Sequence, residues 1–177
     1  FDVSTASYVQ NFSVASQEVT PTGMAFNNDG TKMYVIGNSG KEVNEYSLTT
    51  AFDVSTASYV QNFSVASQED KPQGITFNSN GTKMFIIGHT GDDVNEYSLS
   101  TAFDVSTASY TQLFSVVSQE SYPQGITFNN DGTKMFVIGS GADKVYEYSL
   151  GNPAVQTVCK NLPISNYTYY TTGACLL

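Results

Sequence analysis

The sequence predicts an all-β protein built from three copies of one antiparallel unit. Three observations carry that expectation. Phe1-Asp2-Val3-Ser4-Thr5-Ala6-Ser7-Tyr8 returns at Phe52–Tyr59 and again at Phe103–Tyr110, a fixed step of 51 residues. A period of that length is one supersecondary unit copied in tandem, and such a unit buries its apolar face only by stacking on a neighbour. Short runs rich in Val, Ile, Phe, Tyr and Thr are separated by Asp-Gly and Asn-Gly turns, the pattern of strands joined by tight bends. No segment carries the 3.6-residue apolar period of a helix.

Each copy reads as four strands. The first is Tyr8–Val14, recurring at Tyr59–Val65 and Tyr110–Val116. The second follows a proline: Gly23–Phe26, Gly74–Phe77 and Gly125–Phe128. The third is the most apolar, Met33–Ile36, Met84–Ile87 and Met135–Ile138, and fits a strand buried on both faces. The fourth is Val43–Leu48, Val94–Leu99 and Val145–Leu150. Asn27–Gly30, Asn78–Gly81 and Asn129–Gly132 join the second strand to the third, with residues that tolerate positive φ at the bend. Asp2, Asp53 and Asp104, in the linker between units, are expected to cap local turns.

Four antiparallel strands in a repeat of this length make a β-propeller blade. Pro21-x-Gly23-x-x-Phe26-x-x-Asp29-Gly30-x-x-Met33-Tyr34-Val35 resembles the blade motif of YVTN-type and lactonase-like β-propellers, and the pattern recurs at Pro72–Ile86 and Pro123–Val137. The resemblance covers residues 1–150. It implies that the Pro-x-Gly strand is innermost, lining a channel, and that the Tyr8–Val14 strand is outermost. The expected organisation is blade repeats at 1–51, 52–102 and 103–150, with a non-repeating cap at 151–177. Gly151–Lys160 could supply a last outer strand. Propellers need about four to eight blades to close. Three blades form an incomplete ring, so the expected partner is the chain itself, as a dimer completing six blades or as a polymer, or else further repeats of the same chain.

Composition narrows the function. The chain has 16 acidic residues against 7 lysines, no arginine, and a net charge of −9. Nucleic acid is excluded as a partner, since phosphate neutralisation needs clustered Lys or Arg. No stretch approaches the ~20 apolar residues of a membrane-spanning helix. No signal peptide is visible, and the chain opens at Phe1, which leaves room for a cleaved or omitted upstream segment. Cys159 and Cys175 both lie in the tail, where a disulfide and an extracellular or cell-surface location are expected. With one histidine, His89, the chain offers no zinc-ligand set, and no cofactor is expected. Asn11, Asn62, Asn80 and Asn166 stand in N-glycosylation sequons.

The copies also differ informatively. The first two diverge at 19, 20, 22, 24, 25, 28, 29, 34, 35, 38, 39, 41, 42 and 49 of the first copy, and half of these positions fall in two loops. The first loop carries Val19, Thr20 and Thr22, then Asp70, Lys71 and Gln73, then Ser121, Tyr122 and Gln124. The second carries Asn38, Lys41 and Glu42, then His89, Asp92 and Asp93, then Ser140, Asp143 and Lys144. Alternate connections of a meander emerge at the same end, so both loops share one face, the candidate ligand face for a glycan or protein. His89 reads as an exposed loop residue, with a catalytic role the alternative. Glu45, Glu96 and Glu147 read as strand-surface positions. Glu18, Glu69 and Glu120 could ring an opening and collect cations. The first functional reading is an extracellular, non-catalytic module for binding or self-assembly: an adhesin, surface or fibre component. A lactonase-like hydrolase and a structural filament subunit are the alternatives.

Overall fold

The computed structural model describes residues 2–151, together with the backbone of 168–169 and 175–176. The first sheet has β1 (Pro21–Phe26), β2 (Lys32–Gly37), β3 (Glu42–Leu48) and β4 (Ala57–Ser64), in that order. The second has β5 (Pro72–Phe77), β6 (Lys83–Gly88), β7 (Asp93–Leu99) and β8 (Ala108–Ser115). The third has β9 (Pro123–Phe128), β10 (Lys134–Gly139) and β11 (Val145–Ser149). All neighbouring strands are antiparallel. In the tail, β12 (Thr168–Tyr169) pairs with β13 (Cys175–Leu176).

The expected all-β organisation is present, but its phase differs from the repeat. The outer strand of each sheet comes from the next copy: β4 opens at Ala57 and pairs with β3, Tyr59 opposite Tyr46 and Phe63 opposite Val43. Residues 8–14, expected as a strand, therefore form no ladder, because no described strand precedes them. By the same step, the outer position of the third sheet falls on residues 159–166, outside the described residues, as does the expected strand at 151–160 beyond Gly151.

Local chemistry explains the turns and linkers. Gly30, Gly81 and Gly132 take φ of 72°, 69° and 69°. Just before them, Asp29, Asn80 and Asp131 each accept through Oδ1 from the backbone N–H two residues on, at 3.0, 3.1 and 3.0 Å. These side chains hold their own bends. Asp2, Asp53 and Asp104 cap the 3₁₀ turns Val3–Thr5, Val54–Thr56 and Val105–Thr107, accepting from Ser4, Ser55 and Ser106 N–H at 2.9, 3.0 and 3.0 Å.

The core lies between sheets. Tyr34, Ile36 and Val43 of the first sheet bury against Ile75, Met84, Ile86, Tyr97 and Leu99 of the second. Ile87 and Val94 repeat the arrangement against Met135 and Val137 of the third. Burying each such side chain contributes roughly 1.5–3 kcal/mol. The innermost strands approach closely at glycines: a Cβ added to Gly23 would lie 2.8 Å from the Gln73 carbonyl, and one at Gly74 would lie 2.9 Å from that of Gln124.

Candidate functional site

Pro21 pairs with Gly37, so the two variable loops meet at one end of the sheet. The backbone of one loop bonds that of the other in every copy: Asn38 N–H donates to the Thr20 carbonyl, His89 to Lys71 and Ser140 to Tyr122, each at 3.1 Å. Beneath them lies a clamp that the side-chain pattern did not foretell. Glu18 is buried, and its carboxylate accepts from the N–H groups of Thr20 (2.6 Å), Ser39 (3.2 Å) and Gly40 (2.9 Å). Glu69 does the same for Lys71 (2.7 Å), Thr90 (3.0 Å) and Gly91 (3.5 Å). Glu120 accepts from Tyr122 and Gly141, both at 2.8 Å.

These glutamates do not ring an opening, contrary to the sequence reading. A carboxylate stripped of water is stable only when hydrogen bonded, and here backbone donors supply those bonds, save at Glu120 Oε2, which has no partner among the described residues. Their signal in the sequence was an unchanged Glu directly before changed residues. The clamp gives each copy the same loop backbone. Lys41, Asp92 and Asp143 all take left-handed φ, at 55°, 48° and 54°, although the first copy has a lysine where the other two have an aspartate.

Variable side chains also meet across neighbouring sheets. Lys41 pairs with Asp70, Gln73 Nε2 donates to Asn38 Oδ1 at 3.4 Å, and Thr22 Oγ1 donates to the Pro72 carbonyl at 2.8 Å. His89 sits edge-on to Tyr122, with ring centres 5.6 Å apart. The loops therefore form one continuous face. Val19, Thr20, Asp70, Lys71, Ser121, Tyr122, Gln124, Ser140, Asp143 and Lys144 are exposed on it. Thr22, Asn38, Lys41, Glu42, Gln73, His89 and Asp92 are half-buried.

Three residues depart from expectation. Asp93 is buried and accepts from Asn95 Nδ2 at 2.6 Å, so it is no part of the exposed face. Burial, then the neighbouring Glu69 charge, raises its pKa. His89 is half-buried rather than exposed, and its Nδ1 and Asp92 Oδ1 have no partner among the described residues. Burial also raises the Asp92 pKa, with His89 acting in the opposite direction. Glu45 is buried rather than on the strand surface; it pairs with Lys32 at 2.7 Å and accepts from Val105 N–H at 3.1 Å. Asn11, Asn62 and Asn80 are exposed. Cys159 and Asn166 lie outside the described residues, and of Cys175 only the backbone is described. Among the described residues no group of three His, Cys, Asp or Glu is arranged to hold a metal ion.

No family model and no curated relative matches the chain. Solved structures do. A candidate 6-phosphogluconolactonase of Bacteroides uniformis superposes with a TM-score of 0.59 at 15% identity, over 90% of this chain and 48% of that one. The periplasmic gluconolactonase PpgL of Pseudomonas aeruginosa gives 0.55 at 14%, over 73% and 35%. The β-propeller domain of Myceliophteria thermophila Cps50 (Swd1) gives 0.51 at 10%, over 73% and 39%. The three sheets are β-propeller blades. The chain spans less than half the length of these structures, and its blades form an unclosed arc. At these identities the likeness establishes the fold, and a propeller fold alone names no reaction.

Proposed function

We propose that this chain is an extracellular, non-catalytic propeller module that binds a protein or glycan on the face of the variable loops. One observation carries the reading. In each copy a buried glutamate fixes the loop backbone while the side chains above it change. A rigid frame presenting varied exposed groups is the arrangement of a recognition surface, because loops on a fixed scaffold supply specificity without altering the fold. Tyr122 offers an aromatic contact of the kind enriched among interface hot spots, and Lys71 a charge suited to the polar rim. The likeness to a periplasmic protein supports placement outside the cytoplasm.

The test is a glycan array and an array of extracellular ectodomains, probed with the full chain. Lys71→Ala, Tyr122→Ala and Gln124→Ala combined should abolish a specific signal. Alanines at Asn28, Ser79 and Asn130, at the opposite end of the blades, should leave it. A signal indifferent to the loop changes defeats the reading.

A second reading, a lactonase-like hydrolase, draws on the half-buried His89, whose Nδ1 has no partner among the described residues, and on Asp92, whose charge it influences. Turnover of δ-gluconolactone above the spontaneous rate, with or without divalent metal, and lost in His89→Ala, would favour it. No turnover rejects it.

A further inference from the structure

We propose that residues 1–14 of a second copy dock on the third blade, so that two chains close one ring of six blades. The Phe-Asp-Val-Ser-Thr segment fills the groove between the second and third blades, and residues 6–13 pair with the edge of β11 that no described strand covers. This inference concerns the ends of the arc and is independent of the ligand face.

The occupied junction, between the first and second blades, shows what the groove takes. There the linker Phe103–Thr107 is seated. The Phe103 carbonyl accepts from Lys32 Nζ at 2.8 Å and Tyr34 OH at 2.6 Å. Asp104 accepts from Gln61 Nε2 at 2.7 Å, and Val105 N–H donates to Glu45 at 3.1 Å. The Phe103 ring stacks obliquely on Phe77, with centres 5.5 Å apart, and lies where a Cβ on Gly81 would be.

At the next junction an equivalent lining stands around a cavity of about 970 Å³, with Phe85 in place of Tyr34 and so without the hydroxyl that bonds the Phe103 carbonyl. Lys83, Phe85, Glu96, Gln112, Phe128 and Gly132 occupy the positions of Lys32, Tyr34, Glu45, Gln61, Phe77 and Gly81. Gly81 is covered by a phenyl ring, whereas a Cβ on Gly132 would meet nothing within 4 Å.

The apolar face of the third blade is likewise uncovered by any described residue. Val43 and Val94 are 0% and 4% exposed, but Val145 is 65%. Ile36 and Ile87 are both 0%, but Ile138 is 50%. In the occupied junctions these positions face the Met-Val/Ile-Tyr-Leu side of the following blade. Among the described residues that side of the first blade, Met33, Val35, Tyr46 and Leu48, has no blade against it; Phe12 and Val14 pack there instead and leave it no more than 5% exposed.

Sequence selects the occupant. Phe1–Val14 is identical to Phe52–Val65, which forms a linker and outer strand in this structure. The chain's own continuation at the equivalent positions, Ala154-Val155-Gln156-Thr157-Val158, lacks the Phe, Asp and Val that the groove engages. The donated segment is also poised. Phe12 meets Tyr46 edge-on at 5.5 Å, as Phe63 meets Tyr97 at 5.5 Å. Gln10 bonds Asp53, as Gln61 bonds Asp104. Val3 is 89% exposed, while its copy Val105, seated in a groove, is 0%. These described contacts already match those of the docked copies, so rigid-body docking is the default expectation. Copying the β3–β4 register places Phe12 opposite Val145, Asn11 opposite Tyr146 and Gln10 opposite Glu147. Two three-blade chains give six blades, within the about four to eight that close a propeller, and a third chain would exceed that range.

The experiment is sedimentation velocity on the full chain from about 1 to about 100 μM, a range that resolves micromolar association. The wild type should reach the mass of two chains. Val3→Asp changes a solvent-exposed residue of the single chain, so its far-UV circular dichroism should be unaltered while its mass falls to one chain. Val19→Asp, exposed but on the loop face, should keep the double mass. As a second readout, in a Cys159→Ser, Cys175→Ser background, Asn11→Cys and Tyr146→Cys chains are mixed under mild oxidation. They should form a disulfide between chains, and Asn11→Cys with Lys71→Cys should not. A single-chain mass throughout overturns the proposal and assigns the groove to the tail of the same chain. A double mass that survives Val3→Asp, or that lacks the 11–146 crosslink, overturns it equally.

Discussion

Glu69→Ala removes one acceptor and orphans several donors at once. Two of its bonds, from Lys71 at 2.7 Å and Thr90 at 3.0 Å, are of full strength, and the third, from Gly91 at 3.5 Å, is marginal. A hydrogen bond to a charged group is worth about 1.5–3 kcal/mol net. Truncation lets water reach part of the exposed loop, which favours the lower end of that range. Two bonds at the lower end give a loss of about 3 kcal/mol. For a chain of this size each kcal/mol moves Tm by about 2–4 °C, so Tm should fall by about 6–12 °C. Glu69→Gln can keep the oxygen that accepts from both Lys71 and Thr90 but loses its charge, which about halves the strength of each bond, so it should lose about half as much. Thermal unfolding gives the total, and amide hydrogen exchange gives the location: protection should collapse at Lys71 and Thr90 and persist at Thr20 and Ser39, which hang from Glu18. If exchange at Lys71 and Thr90 stays slow and Tm moves by less than about 2 °C, the carboxylate is not the clamp, and the fixed frame beneath the candidate face has another origin.

Further outcomes follow from the same geometry. Gly81→Ala must adopt φ near +69° and overlap Phe103, whereas Gly132→Ala meets only the backbone penalty. At concentrations where the chain is monomeric, chemical denaturation should show a loss of about 3 kcal/mol for the first and about 1 kcal/mol for the second; equal losses would refute the packing argument. Asp93 has a raised folded-state pKa, so the fold holds its proton more tightly than the unfolded chain does. Its contribution to stability is present below the unfolded value of about 4 and lost as pH rises through the folded value. Asp93→Asn should thus raise Tm at pH 7 and flatten its dependence above pH 4, as read by calorimetry. The capping groups Asp2, Asp53 and Asp104 have lowered pKa values, chiefly from their serine partners, and act in the opposite window. Their contribution is present above the unfolded value and lost as pH falls through the folded values, so Asp104→Asn should reduce acid sensitivity below pH 4.

The strands, turns and linkers were legible because their causes are local. Asp29-Gly30 bends wherever it stands, and Asp104 caps its 3₁₀ turn with a serine two residues away. The phase of the blades was less so. Nothing inside Tyr59–Val65 says that it belongs to the preceding sheet; only its pairing with β3 does. The candidate face was visible as a pattern of differences between copies. The clamp beneath it was not, because Glu18 reads as a surface acid until its partners, 20 or more residues away in the second loop, are brought to it.

The sequence by itself determined the all-β class, the repeated unit and the positions of its bends, since periodicity and turn chemistry act over a few residues. Tertiary structure decided which acids are buried, how variable loops join across blades, and that the outer strand is lent from one copy to the next. Those outcomes depend on burial and on contacts between distant residues. The same dependence leaves Val145 and Ile138 exposed at one end of the arc and Val3 at the other.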